Sequence, residues 1–290
     1  MQNFKSKTCI ESHVVNRLEE KIRLQEYAVT IFQSIQSKSA LKKSLKKELI
    51  SLNGEIAKTS DWIENGQVLK LYAEENQHKR KVFELKIEVI YEDEHLAIVN
   101  KPGGYPSSGN YFRTIENALP YNLVASSERD KLINLQPVHR LDNPTSGVLL
   151  IAKTHSSRTL LSVLFEKHQV EKQYIAIVER KLDDFNGEIQ SKIEGKASLT
   201  KFQVETVFQK NKEDFSLVNL WPRTGRTHQL RIHLASKGHP IVGDKAYNSN
   251  FRHEKLLLHA YTLQFRHPKT QEILAIKTEF PHKFVKFMNR

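Results

Sequence analysis

The sequence predicts an α+β fold: a mixed, largely antiparallel β-sheet with flanking helices, preceded by a small α/β unit. Two observations carry the fold class. Short apolar runs of strand character (residues 89–93, 96–99, 148–152 and 174–178) are interspersed with helical spacing, without the regular alternation that a parallel crossover fold shows. Residues 202–220 alternate apolar and polar well enough for two further strands. A third observation divides the chain. The polar run 74–81 separates a compact N-terminal stretch from the remainder. The expected organisation is an N-terminal extension (1–22), a small domain (23–75), a linker (76–84) and a larger domain (85–290), with no internal repeat.

Taken in order, the residues up to Arg17 are polar and weakly patterned, which fits a frayed end or a short helix. Tyr27, Val29, Ile31 and Phe32 suggest a helix. A second helix, 39–47, has Leu41, Leu45 and Leu49 at four-residue spacing, a narrow apolar stripe. Asn53-Gly54 between apolar runs is a strong hairpin signal, and 67–72 reads as a strand. In the larger domain, 89–93 and 96–99 form strand, turn and strand, ending at the abrupt turn Asn100-Lys101-Pro102-Gly103-Gly104. A buried strand at 148–152 is followed by a helix over 156–168, with Ser156 as N-cap. A last helix is expected from about Thr227, closed by Gly238 with Pro240 beyond.

Charge narrows the partner. The 290 residues carry a formal net charge of +12, which points to a polyanion. A membrane surface competes, but no apolar stretch approaches the roughly 18 residues of a spanning helix. Lys5 and Lys7 lead into polar sequence, unlike a secretory signal. Cys9 is the only cysteine, so neither a disulfide framework nor a thiolate metal cluster can form within one chain. A soluble, cytoplasmic protein with nucleic acid as its partner is expected. Lys42, Lys43, Lys46 and Lys47 cover the polar surface of the second helix. A charge run is usually a solvated face. Clustering on one helix of a basic chain favours phosphate contact instead.

Two blocks concentrate chemistry. In 139–147 (His-Arg-Leu-Asp-Asn-Pro-Thr-Ser-Gly), Asp142 stands in a constrained connection feeding a buried strand, where a carboxylate serves chemistry better than packing. A bare turn carboxylate before Asn-Pro is the bland alternative. In 222–234, three arginines and two histidines are too many for a core strand. His228 and His233 are five apart, about 140° around a helix, which is poor spacing for one shared metal ion. An arginine beside a catalytic carboxylate keeps it ionised and fixes its orientation. Arg226, in the Gly225-Arg226-Thr227 turn, is the candidate; the alternative is that Arg226 and Arg231 neutralise phosphates.

His139-Arg140-Leu141-Asp142, Lys172-Gln173-Tyr174, the run 224–231 and the run 238–244, with 100–104 and Leu258-His259-Ala260 in the same order, resemble the RluA-type pseudouridine synthases over about residues 89–283. Residues 37–72 resemble the S-four-like RNA-binding domain named after a ribosomal protein, with lysines where that helix usually carries arginines. The resemblance implies the pseudouridine synthase fold and isomerisation of uridine within RNA, ribosomal first and transfer second, without a metal, nucleotide or redox cofactor. It implies Asp142 as nucleophile and Arg140 in the position vacated by an extruded base. Tyr174 would stack on the flipped ring or move a proton, against the plain reading of a core strand aromatic. Leu230 and Leu258 either pack near the base or belong to the core, and Lys101 either binds phosphate or caps its turn. His139, His228 and Arg231 are expected on the RNA. One departure is Gly104-Tyr105-Pro106-Ser107-Ser108, where relatives tend to carry a Leu/Val-rich stretch with His-Pro; it bears on substrate preference. A non-catalytic RNA-binding or ribosome-assembly protein on the same fold is the alternative. A metal-dependent nuclease using His139, Asp142 and His228 lacks a carboxylate-rich set.

Overall fold

The computed structural model describes residues 7–29, 31–32, 35, 37–72, 81–251 and 253–289. The N-terminal unit comprises β1 (Cys9–Val14), β2 (Ile22–Arg23), α1 (Leu24–Tyr27), α2 (Lys38–Lys46), β3 (Ile50–Leu52), β4 (Glu55–Ile56), β5 (Trp62–Ile63) and β6 (Val68–Tyr72). A sheet in the order β1-β6-β3-β4 packs on a core that includes Leu24, Phe32, Leu41, Leu45 and Leu69. The α2 stripe behaves as its spacing requires, with Leu41 and Leu45 buried and Ser37 accepting a hydrogen bond from the Ala40 amide as N-cap. Asn53 and Gly54 both take positive φ, +52° and +89°, the requirement of the tight β3–β4 turn.

Two expectations fail here. Residues 9–14 are neither frayed nor helical: they pair antiparallel with β6, because a polar strand needs only one buried face and an available sheet edge. The helix expected through Phe32 stops at Tyr27, and its apolar residues Val29 and Phe32 reach the core from turns. Of the expected linker 76–84, residues 76–80 lie outside the described residues, and 81–84 carry no regular element.

The larger unit runs β7 (Glu88–Glu92), β8 (Leu96–Lys101), α3 (Ile115–Asn122), β9 (Lys131–Pro137), β10 (Ser146–Thr154), α4 (His155–Glu166), β11 (Glu171–Glu179), β12 (Asn186–Ile193), β13 (Lys196–Lys210), β14 (Glu213–Pro222), α5 (Gln229–Ser236), β15 (Leu258–Arg266), β16 (Ile273–Lys277) and α6 (His282–Met288). One sheet takes the order β12-β13-β14-β11-β15-β10-β8-β7, with β16 on β15 and β9 on β10. Every named pair in it is antiparallel except β10 with β15, so the expected mixed, largely antiparallel sheet is present. Thr154, not Ser156, caps α4, its side chain accepting from the Ser157 amide. Among the described residues no helix is long and apolar enough to cross a membrane.

The parallel β10–β15 contact sets the site. Gly147 (φ +119°) pairs with Ala260, and a Cβ at Gly147 would lie 2.1 Å from the Ala260 carbonyl oxygen. Only glycine lets the strand that follows Asp142 approach β15 so closely. Alternate residues of β11 then face opposite cores: Tyr174, Ala176 and Val178 pack toward Leu230 and Leu234 of α5, and Ile175 and Ile177 toward Phe284 and Phe287 of α6.

Candidate active site

The connection from β9 to β10, the start of β11, the end of β14 and the start of α5 converge on a cavity of about 430 Å³. Asp142 lies in its wall, on a loop held from behind. The Lys101 ammonium, with no solvent exposure, donates to the carbonyl oxygens of Asp142 (3.3 Å), Asn143 (3.1 Å) and Thr145 (2.7 Å), and to Pro102 (3.1 Å). The Ser107 hydroxyl accepts from the Leu141 amide and donates to the Leu141 carbonyl, both at 3.0 Å. Lys101 is therefore no phosphate ligand; it ties down the carboxylate's loop. Burial pulls its ammonium down to about 7, against the Asp142 charge, which raises it.

The guanidinium that meets Asp142 belongs to Arg231. Its Nη1 lies 3.6 Å from Asp142 Oδ2, while Nε and Nη2 each bond Asp244 at 2.7 Å in a bidentate pair. Burial opposes the Arg231 charge, but the hydrogen bond and charge of Asp244, with Asp142 adding, raise its pKa overall. Arg226, the sequence candidate, lines the cavity but turns its Nε to the Ala197 carbonyl at 3.2 Å. It sits in the turn before α5, whereas Arg231 is inside the helix and carried inward by it. Arg231 is correspondingly buried and offers no free surface to RNA phosphates.

The start of α5 is built without an ordinary cap. His228 takes a left-handed conformation (φ +54°), and its side chain makes no capping bond. That bend brings its Nε2 3.8 Å from Asp142 Oδ1 and its Nδ1 2.9 Å from the Tyr247 hydroxyl. Gln229 stitches the turn instead, accepting from the Arg226 amide (3.0 Å) and the Thr224 hydroxyl (2.7 Å) and donating to Leu199 O and Thr200 Oγ1 (both 3.0 Å). His233 points elsewhere, to Ser198 (2.8 Å) and Thr200 (2.9 Å) in the core. Among the described residues no group of three or more His, Cys, Asp and Glu side chains is placed to hold a metal.

Tyr174 lines the cavity between two core clusters. Burial, with the Asp142 charge adding, pushes its hydroxyl well above the ordinary phenol range, so it stays protonated. Leu230 and Leu258 are both core residues and cavity-lining, which joins the two readings. Arg140 is exposed at the rim, free to reach a nucleic acid. His139 is not a charged RNA contact. Its Nε2 accepts from the Leu150 amide (3.1 Å) and its ring stacks on Phe165 (4.8 Å). Burial, with the Lys172 charge adding, holds the imidazole neutral down to about 3, against a backbone bond at Arg140. Lys42, Lys43 and Lys46 on α2 and Lys47 at its C-cap are exposed in the N-terminal unit.

Three residues that build or line the site were not singled out in the sequence. Asp244 and Gln229 sat inside the motifs, but their partners are 13 and up to 30 residues away. Lys172 stands two positions before Tyr174 on the same strand face, which is the signal that could have found it. Its ammonium lies 5.9 Å from the Phe165 ring centre and makes no hydrogen bond or ion pair with any described residue. Burial lowers its pKa.

Comparison with known proteins identifies the reaction this geometry serves. The profile of the RNA pseudouridylate synthase family matches residues 95–236. An uncharacterized RNA pseudouridine synthase of Aquifex aeolicus is 33% identical, over 91% of this chain and 92% of its own. The chain belongs to the RNA pseudouridine synthase family. Ribosomal large subunit pseudouridine synthase C of Vibrio cholerae is 33% identical over 82% of this chain and 84% of its own. The structure of human RNA Pseudouridylate Synthase Domain Containing 1 superposes with a TM-score of 0.56 at 26% identity, covering 68% of this chain and 84% of that one. The synthase is thus an RNA-modifying isomerase of the RluA type, and three of the motifs that carry the resemblance in sequence, 139–142, 172–174 and 224–231, contribute residues to its cavity, together with Leu258.

Proposed function

We propose that the synthase converts specific uridines of ribosomal RNA to pseudouridine, with Asp142 as the nucleophile. The observation that carries this reading is the Asp142 carboxylate, paired with the doubly anchored Arg231 in the wall of a cavity with Tyr174 beside it. The isomerisation breaks the bond from uracil N1 to the sugar, forms the bond from C5, and moves a proton from C5 to N1. Asp142 attacks the nucleotide and releases it once the ring has turned. Arg231 keeps that carboxylate oriented, so no side-chain ordering is left to the reacting complex. Tyr174 stacks on the extruded ring and, being protonated, holds a proton at its edge. Arg140 enters the space the base leaves. Lys172, an ammonium without an anionic partner among the described residues, faces the phosphate of the same nucleotide. The lysines of α2 give the N-terminal unit a second, sequence-independent hold on RNA.

Ribosomal RNA is preferred over transfer RNA because several similar proteins carry large-subunit synthase names. Mapping pseudouridine across ribosomal and transfer RNA from cells lacking the gene tests both choices. One or more ribosomal sites should be lost and then restored by the wild-type gene. Asp142→Asn should restore none while its protein still binds RNA. Loss confined to transfer RNA refutes the ribosomal assignment, and restoration by Asp142→Asn refutes the nucleophile.

A further inference from the structure

We propose that Tyr111 and Phe112 form a stacking platform for an unpaired base next to the target uridine, an inference that rests on RNA being held at this cavity. Both rings stand in solvent, Tyr111 71% and Phe112 51% exposed, on the connection between β8 and α3. Isolated apolar side chains are common on protein surfaces. Two adjacent aromatics on a fastened loop beside a catalytic cavity are a different case.

The loop is fastened at both ends. Ser107, bonded twice to Leu141, sits against the neighbour of Asp142, and its carbonyl accepts from the Glu116 amide at 3.0 Å. At the other end the Asn117 side-chain amide donates to the carbonyls of both Tyr111 (3.0 Å) and Phe112 (2.9 Å), while Thr114 caps α3. The two backbone carbonyls face inward and the rings are presented outward. Phe112 also leans on Phe83 (centroids 5.7 Å apart), which contacts Tyr105 (5.8 Å), so one ring edge is braced from the core. Little ordering of the loop is then left for binding, which favours affinity.

Position and charge name the occupant. Ser107 and Ser108 line the catalytic cavity, and Tyr111 is three residues further, at most about 11 Å of chain. A strand with one base extruded into the cavity must pass its neighbouring nucleotides over this rim. Arg113, exposed beside the rings, supplies a cation for the phosphate of the same nucleotide. Aromatic faces accept any base, so the platform selects unpaired RNA rather than a sequence.

The test uses the full chain and the double variant Tyr111→Ala/Phe112→Ala, whose side chains are largely exposed. With single-stranded poly(A) as probe, the variant should bind about 10-fold or more weakly, with an unchanged dependence on salt. The swap Tyr111→Phe/Phe112→Tyr should restore affinity. Failure of the wild type to bind poly(A), equal binding by the alanine variant, or loss that the swap does not rescue would each overturn the platform. Tritium release from ribosomal RNA carrying C5-labelled uridine tests the catalytic reading separately. If the wild type turns over, the alanine variant should raise KM about 10-fold with kcat held within about twofold, and an unchanged KM would count against the platform alone.

Discussion

Arg231 can serve two carboxylates because a guanidinium has a fork and a spare arm. Nε and Nη2 are spent on Asp244, which leaves Nη1 for Asp142. Asp244 is almost fully buried, so the pair is a fixed strut, and Asp142 is held by a group that cannot swing away. Lysine keeps the charge but loses the fork. Arg231→Lys should therefore lower kcat about 100-fold while KM changes less than about threefold, as expected when a reacting group is displaced by about 1 Å. Steady-state kinetics over a range of RNA concentrations measures both, and an effect confined to KM would make Arg231 a phosphate ligand instead. Arg226→Ala should spare kcat, since its side chain bonds Ala197 rather than the carboxylate. The arginine type was legible in the sequence; the choice between two arginines five positions apart was not. It depends on where α5 begins, and Gln229 decides that through partners in β13.

Two elements illustrate how local sequence turns into function. In α2 the apolar stripe faces the small core and leaves four lysines outward. Replacing Lys42, Lys43, Lys46 and Lys47 with glutamine should weaken binding to structured RNA. The slope of log affinity against log salt should shrink by about 0.7–0.9 for each phosphate that is no longer neutralised. Filter binding at several salt concentrations checks it; a parallel line would mean the helix face is merely solvated. The helix was readable because its apolar spacing repeats over neighbouring turns of one short segment. β1 was not, since its pairing with β6 joins residues 9–14 to residues 68–72. The β10–β15 pairing has the same character. Gly147→Ala should put a methyl against the Ala260 backbone and strain the strand that carries the catalytic loop.

Across the whole molecule, buried histidines couple stability to acid. His139 and His259 are held neutral down to about 3, mainly by burial, with Lys172 and Lys283 respectively adding to the effect. Their folded values lie below the unfolded value of about 6.5, so the unfolded chain binds more protons between these limits. Stability is then full above about pH 6.5 and falls as pH drops toward 3. Each histidine contributes up to about 1.4 kcal/mol per pH unit. His259, bonded to Ser146 and Thr278 at 2.8 Å each, braces the two strands behind the catalytic loop. His259→Gln should remove close to one proton from the slope of unfolding free energy between about pH 5.5 and 4, read by urea titration. An unchanged slope would place the acid sensitivity elsewhere.

The sequence by itself determined the elements whose signals are local and the family, and it put Asp142 and Tyr174 forward as candidates from their motif blocks. Strand alternation, helix spacing and turn residues act over a few positions, and the motif blocks keep their own order. The tertiary structure alone decided which arginine meets Asp142, that Lys101 lies beneath the loop instead of on RNA, and that His139 is neutral. Each of those outcomes is a competition among groups brought together by sheet pairing, and burial with partner geometry, not residue type, settles it.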